Sequence, residues 1–201
     1  RKKRVVFAAR WDDEKQPDFY MDLIEEVGKI YANVEFCVCT GGLELKGNNK
    51  AAIERAKELE KSSHANFKIY QNLKKDDYYN ILADSQVLFN CALQDWTSNT
   101  VSEADTMGCL TLYPAYRSFP EVFANNHNHM YTPWSIDDAY AKLREMFNSI
   151  QEQKYDKDSL GKISDWQNGT IDRTLDIVMG NGEHWRRNSN HYRREVAKPK
   201  Y

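Results

Sequence analysis

Two acids bracket a hydroxyl-rich stretch, QDWTSNTVSEADTMGC, at positions 94–109. Asp95 and Glu103 have seven residues between them, including Thr97, Ser98, Asn99, Thr100 and Ser102, and the apolar run SQVLFNCAL precedes them. A carboxylate one turn into a helix can accept both hydrogen bonds of a vicinal diol. The free NH groups of a helix start, here Thr97 to Thr100, suit phosphate or hydroxyl acceptors. Asp and Glu also cap helices and favour the helix dipole, so the pattern alone leaves both readings open. Two cations follow the first apolar run: Arg10, and Lys15 five residues on, just before Pro17 opens a helical spacing. A guanidinium and an ammonium beside a helix start make a phosphate site. The same cations also balance Asp12, Asp13 and Glu14. Gly41 and Gly42, after the second apolar run, permit close backbone approach or positive φ, and equally an ordinary turn.

These residues need a scaffold that brings strand ends together. Short apolar runs at RVVFAA (4–9), VEFCVCT (34–40), NFKIY (66–70), QVLFNCAL (86–93) and CLTLYP (109–114) read as strands. Helical spacing runs through 17–32, 48–63, 74–85, 99–108, where Gly108 is the stop, and 135–153, with Ser135 as N-cap. Strands that are apolar on both faces and alternate with helices predict a parallel sheet covered on both sides, Rossmann-like, with about six strands. Ligands of such sheets bind outside the carboxyl ends of the strands, where the residues above stand.

The predicted organisation is a nucleotide-binding domain over 1–153, helices over 154–181 and a basic polar tail over 182–201. The net charge of −2 excludes a global attraction to nucleic acid or anionic membrane. No apolar run approaches the roughly 18 residues needed to span a bilayer. The opening RKKR-VVFAA is too short for a signal-peptide core, and the cysteine usage predicts a reducing cytoplasm. Cys37, Cys39, Cys91 and Cys109 lie mostly in apolar runs and read as buried free thiols. The C-x-C pair lacks a second ligand pair at zinc spacing, and His64, His127, His129, His184 and His191 show no metal spacing.

In order and spacing the chain resembles the carboxyl-terminal, donor-binding lobe of retaining GT-B glycosyltransferases of the large family-four type. RVVFAARWDDEKQPDFYMDLI is similar to that lobe's opening strand, cation pair and long helix, and FCVCTGG to its strand ending in a glycine turn. DWTSNTVSEADTMG falls on an E-x7-E element, with Asp95 and Glu103 on the two acids, Ala104 on an Ala and Gly108 on a Gly. RSFPEVFANNHNHMYTP follows, with Pro120 and Glu121 in register. The likeness covers roughly residues 4–150. It departs where the first acid is Asp, where Trp96 and Ser98 replace glycines, where Ala9 replaces a glycine and where Asp105 replaces an apolar residue.

The resemblance implies transfer of a sugar from a UDP- or GDP-sugar to an unknown acceptor, with retention and without a metal or a permanently bound cofactor. It implies that Arg10 and Lys15 hold the donor diphosphate, Glu103 the ribose and Asp95 the transferred sugar. Backbone NH groups of Thr97, Ser98 and Asn99 would meet sugar or phosphate. An acceptor lobe would lie upstream, and the helices of 154–181 would cross to it. Two other readings stand beside this one. One is a catalytically degenerate binding or assembly module on the same fold. The other is a phage-type DNA-modifying glucosyltransferase using the tail with Trp185, Arg186, Arg187, Tyr192, Arg193 and Arg194, so nucleic acid remains a conceivable partner.

Overall fold

A computed structural model describes residues 1–62, 65–123 and 127–151, all within the unit Arg1–Ile163. The expectations for 154–181 and 182–201, and those for His64, His184 and His191, lie outside the described residues.

Six parallel strands form the sheet: β1 (Lys2–Phe7), β2 (Glu35–Cys39), β3 (Phe67–Tyr70), β4 (Ser85–Phe89), β5 (Leu110–Pro114) and β6 (Met130–Tyr131). Their order is β3-β2-β1-β4-β5-β6. The helices are α1 (Pro17–Gly28), α2 (Lys50–Lys61), α3 (Lys75–Ala83), α4 (Asn99–Thr106), α5 (Phe119–Val122) and α6 (Ile136–Gln151). The chain starts at β1, adds strands outward to β3, then crosses back beyond β1 to β4. Loops after β1 and β4 therefore part in opposite directions, which opens a crevice at the carboxyl ends.

Side-chain alternation decides which helices cover which face. Val5 and Phe7 point into a core with α1, α2 and α6, where Leu23, Ile24, Ala52, Ala139 and Leu143 are buried. Val6 points the other way, with Cys37, Leu88, Leu82, Val101, Ala104 and Phe119 from α3, α4 and α5. Burying each Leu or Ile contributes about 1.5–3 kcal/mol. Phe7, Tyr20, Phe89 and Tyr131 form a continuous ring stack, with successive centroids 4.8, 5.7 and 5.4 Å apart.

Local chemistry sets the element ends. Pro17 occupies the first turn of α1, where its missing NH costs nothing. Asn49 caps α2 by accepting from the Ala52 NH at 2.9 Å. Ser135 receives the Asp138 NH at 3.2 Å before α6. Gly108, at φ 71°, ends α4 in the left-handed region that glycine favours. The four cysteines are free and buried. Burial pushes the Cys37 and Cys91 thiols well above their ordinary range.

The structure adds detail to the stretch after Pro114. It contains the short α5, a turn of 3₁₀ helix at His127–His129, and β6. A two-residue strand is too short to leave a period in the sequence. His129 is buried, 3.2 Å from the Thr111 hydroxyl. Among the described residues no group of three His, Cys, Asp or Glu is placed to hold a metal. No described helix is long and apolar enough to cross a membrane.

Candidate functional site

Backbone stitching fixes the loops at the carboxyl ends of the strands. The β1–α1 loop is tied to the β2–α2 loop: Trp11 NH donates to Lys46 O at 3.1 Å, and Asn49 NH to Trp11 O at 3.1 Å. Asn48 NH donates to the Asp12 carboxylate at 2.9 Å, and Asp13 NH to the Asn48 side chain at 2.8 Å. Gly47 makes this approach possible, because a Cβ there would overlap the Trp11 backbone carbonyl. Gly47→Ala is accordingly expected to destabilise the fold by about 1–3 kcal/mol, lowering Tm by roughly 2–4 °C per kcal/mol. Thermal unfolding followed by circular dichroism checks this; an unchanged Tm overturns it.

The same β1–α1 loop is tied to the segment leaving β4. Leu93 NH donates to Glu14 O at 2.9 Å, and the Cys91 thiol lies 3.2 Å from Lys15 O and Gln16 O. Asn90 anchors the start of this segment with all its polar groups. Its NH donates to Leu112 O at 2.8 Å, its carbonyl accepts from the Tyr131 hydroxyl at 3.0 Å, and its amide meets Ala92 NH and the Ser98 hydroxyl at 2.8 and 3.0 Å. A fully satisfied buried polar network of this kind holds one loop conformation.

On this frame a cavity of about 500 Å³ opens between the loops after β1, β2 and β3 and the start of α4. Arg10, Gly41, Gly42, Lys46, Lys75, Tyr78, Thr100 and Glu103 stand on its wall. It therefore spans the point where strand order reverses. Arg10 is 69% exposed, with its guanidinium 2.9 Å from Asp12 and 3.3 Å from Glu14. It thus makes the charge-balancing contacts while still bordering the cavity. Gly41 and Gly42 do not adopt positive φ, and the space where their Cβ atoms would stand is open. No turn requires glycine there; side chains would narrow the cavity.

Glu103 lies in the second turn of α4 and does not cap it. Its carboxylate accepts from Lys75 Nζ at 2.8 Å and from the Tyr79 hydroxyl at 3.3 Å. The bond to Glu103, and then that to Tyr79, raise the Lys75 ammonium above its ordinary value. Tyr78 presents a buried hydroxyl with no hydrogen-bond partner. Burial first, and then the charge of Glu103, push its pKa well up, so it remains a donor at any physiological pH.

Lys15 and Asp95 form an ion pair with each other, 16% and 20% exposed, outside the wall of this cavity. The two sequence-predicted groups thus meet across 80 positions, and Lys15 does not stand beside Arg10 on that wall. The Ser118 hydroxyl donates to the Asp95 carbonyl at 2.8 Å and fixes that end of the loop. Ser98 is buried, and its hydroxyl is engaged with Asn90 and Thr100. It is the N-cap residue of α4, and the first helical bond runs from Ser102 NH to Ser98 O. The NH groups of Asn99 and Thr100 precede that bond, as helix-start donors do. Thr100 is on the cavity wall; Thr97, Ser98 and Asn99 are not.

Sequence reasoning missed Lys75, Tyr78 and Tyr79. Their signal was present: KKDDYY opens a helix directly after a strand, at the same sheet edge as TGG. Only the fold brings Lys75 to Glu103.

No family profile and no curated protein matches this sequence. Solved structures do match. An S. aureus TarM variant in complex with fondaparinux, α-GlcNAc-glycerol and UDP superposes with a TM-score of 0.63 at 15% identity, over 85% of this chain and 32% of that one. The pneumococcal O-GlcNAc transferase GtfA in complex with UDP and GlcNAc gives 0.63 at 13% identity, over 89% and 36%. The catalytic domain of cholesterol-α-glucosyltransferase from Helicobacter pylori gives 0.61 at 13%, over 85% and 98%. The chain spans about a third of the length of the first two. Six parallel strands in this order, helices on both faces, and these superpositions together establish that the chain has the fold of one lobe of the GT-B glycosyltransferases.

Proposed function

We propose that this chain is the donor-binding lobe of a retaining glycosyltransferase that takes its sugar from a nucleoside diphosphate. The observation that carries the reading is the cavity at the strand-order reversal, which sets Arg10 and Glu103 on one wall beside two glycines with open space above them. The chemistry follows from the group types. Glu103 accepts from the ribose hydroxyls, with Lys75 and Tyr79 holding its carboxylate in place. Arg10 turns from Asp12 and Glu14 onto the diphosphate and stabilises the charge that develops as it departs. Lys15 serves the same charge from the Asp95 side. Asp95 orients hydroxyls of the transferred sugar, a positioning role. No metal is required, because the cations and helix-start NH groups supply the compensating charge. The acceptor is bound with a second lobe. That similar folds were crystallised with UDP supports a uridine nucleotide over a guanosine one.

Isothermal titration of the full chain with UDP and GDP tests this. The expected result is saturable binding of UDP, tighter than GDP and independent of added divalent metal. Binding of neither nucleotide overturns the reading.

A further inference from the structure

Both cations assigned to the diphosphate already have internal partners. Arg10 pairs with Asp12 and Glu14, and Lys15 pairs with Asp95. The Arg10 pairs are weak, because 69% of that side chain meets water. The Lys15–Asp95 pair is of another kind. Its side chains are 16% and 20% exposed, so solvent and salt screen the attraction far less. Among the described residues, Lys15 has no other carboxylate within ion-pair distance. The backbone holds both ends. Lys15 NH donates to Asp12 O at 2.8 Å, in a 3₁₀ turn over Asp13–Lys15, and Lys15 O lies 3.2 Å from the Cys91 thiol. Gln16 follows at φ 50°, in the left-handed region, and turns the chain into α1. Across the crevice the Ser118 hydroxyl donates to Asp95 O at 2.8 Å, and Leu93 NH ties that loop to Glu14 O at 2.9 Å. With both loops fixed, the two side chains meet at a reduced ordering cost.

An ion pair so placed competes with any anionic ligand for the lysine. We infer that Asp95 is an internal counter-anion, a latch that occupies Lys15 until a nucleoside diphosphate displaces it and that closes again as the nucleotide leaves. The inference rests on the donor-lobe reading. Under it, the diphosphate draws Lys15 away from Asp95. The same exchange frees the Asp95 carboxylate, which in the empty protein is already engaged. Removing one member of a half-buried pair strands the other charge, and the exchange avoids this in both directions. On binding, Lys15 passes from one anion to another. On release, the lysine has a carboxylate to return to, which speeds departure of a charged product. The latch thus lowers the affinity for the free nucleoside diphosphate below what the two cations could supply.

Isothermal titration of the full chain with UDP and uridine tests the latch in wild type, Asp95→Asn and Glu14→Gln, with Tm measured alongside. Asp95→Asn keeps the shape of the side chain and removes its charge. It is expected to bind UDP about tenfold more tightly than wild type, because Lys15 no longer gives up a partner. Uridine carries no phosphate and should bind both alike. Glu14→Gln removes the same charge from the exposed Arg10 pair and should change UDP affinity by less than about twofold. UDP affinity unchanged or lower in Asp95→Asn overturns the latch, and so does an equal gain in Glu14→Gln, which would mark a general charge effect. In either case UDP binding by the wild type leaves the donor reading standing. UDP bound by none of the three proteins overturns the donor reading and the latch with it.

Discussion

Glu103→Ala is expected to weaken uridine and UDP binding by the same factor, about 150-fold or more. The lost contacts are two hydrogen bonds from ribose hydroxyls to a carboxylate, each net about 1.5–3 kcal/mol when one partner is charged. Arg10→Ala should give the complementary pattern. Uridine binds as before, and UDP loses about tenfold or more, because the guanidinium addresses only the diphosphate. The folded state should tolerate both changes. Lys75, the ion-pair partner of Glu103, is 65% exposed, and pairs of that kind contribute about 0–1 kcal/mol. Titration of uridine and UDP against the two variants, with Tm measured alongside, separates binding from stability. A Glu103→Ala variant that loses UDP but keeps uridine would contradict the ribose assignment, and an Arg10→Ala variant that keeps both would contradict the phosphate one.

Asp105→Leu is expected to stabilise the protein, and to do so far more at pH 8 than at pH 5. Asp105 is buried on α4 facing the core, and one carboxylate oxygen has no hydrogen-bond partner. Burial pushes its carboxyl up from an ordinary value of 3.8 to about 7. The sign follows from proton binding. The folded state keeps this proton up to about pH 7, whereas the unfolded chain releases it near pH 4. Between those values the folded state binds more protons, so the contribution of this group to stability falls as pH rises and is flat above the window. The full effect is at most about 4 kcal/mol, at about 1.4 kcal/mol per pH unit. A realistic gain of about 2–3 kcal/mol at pH 8 raises Tm by about 5–10 °C for a chain of this size.

At pH 5 the wild-type carboxyl is already protonated, and the advantage of Leu should shrink by at least half. Other acids titrate in the opposite sense. Burial works to raise Glu35, but the Arg4 hydrogen bond and charge outweigh it, and Thr132 holds Asp138 down. The difference between variant and wild type, measured by calorimetry at both pH values, is therefore the informative quantity. Equal Tm shifts at the two pH values would overturn the titration account, and a lower Tm at pH 8 would overturn the burial account.

The sequence by itself determined the alternation of strand and helix, and with it the sheet. Continuous apolar runs such as VVFAA and QVLFNCAL can be buried only when both faces are covered, which a parallel sheet with helices on each side provides. It also determined that Arg10, Gly41, Gly42, Thr100 and Glu103 would converge, because parallel strands send all their carboxyl ends to one edge. What it left undecided were the contacts between residues far apart in the chain. Lys75 meets Glu103 and Lys15 meets Asp95 through the placement of whole loops, and no local period encodes either pair. The side-chain direction of Ser98 depended likewise on a partner, Asn90, eight residues away on the other side of the crossing. Asp105 was visible as a polar residue where an apolar one fits. That it lies buried without a full set of partners is a property of packing between α4 and the sheet, which only the tertiary structure sets.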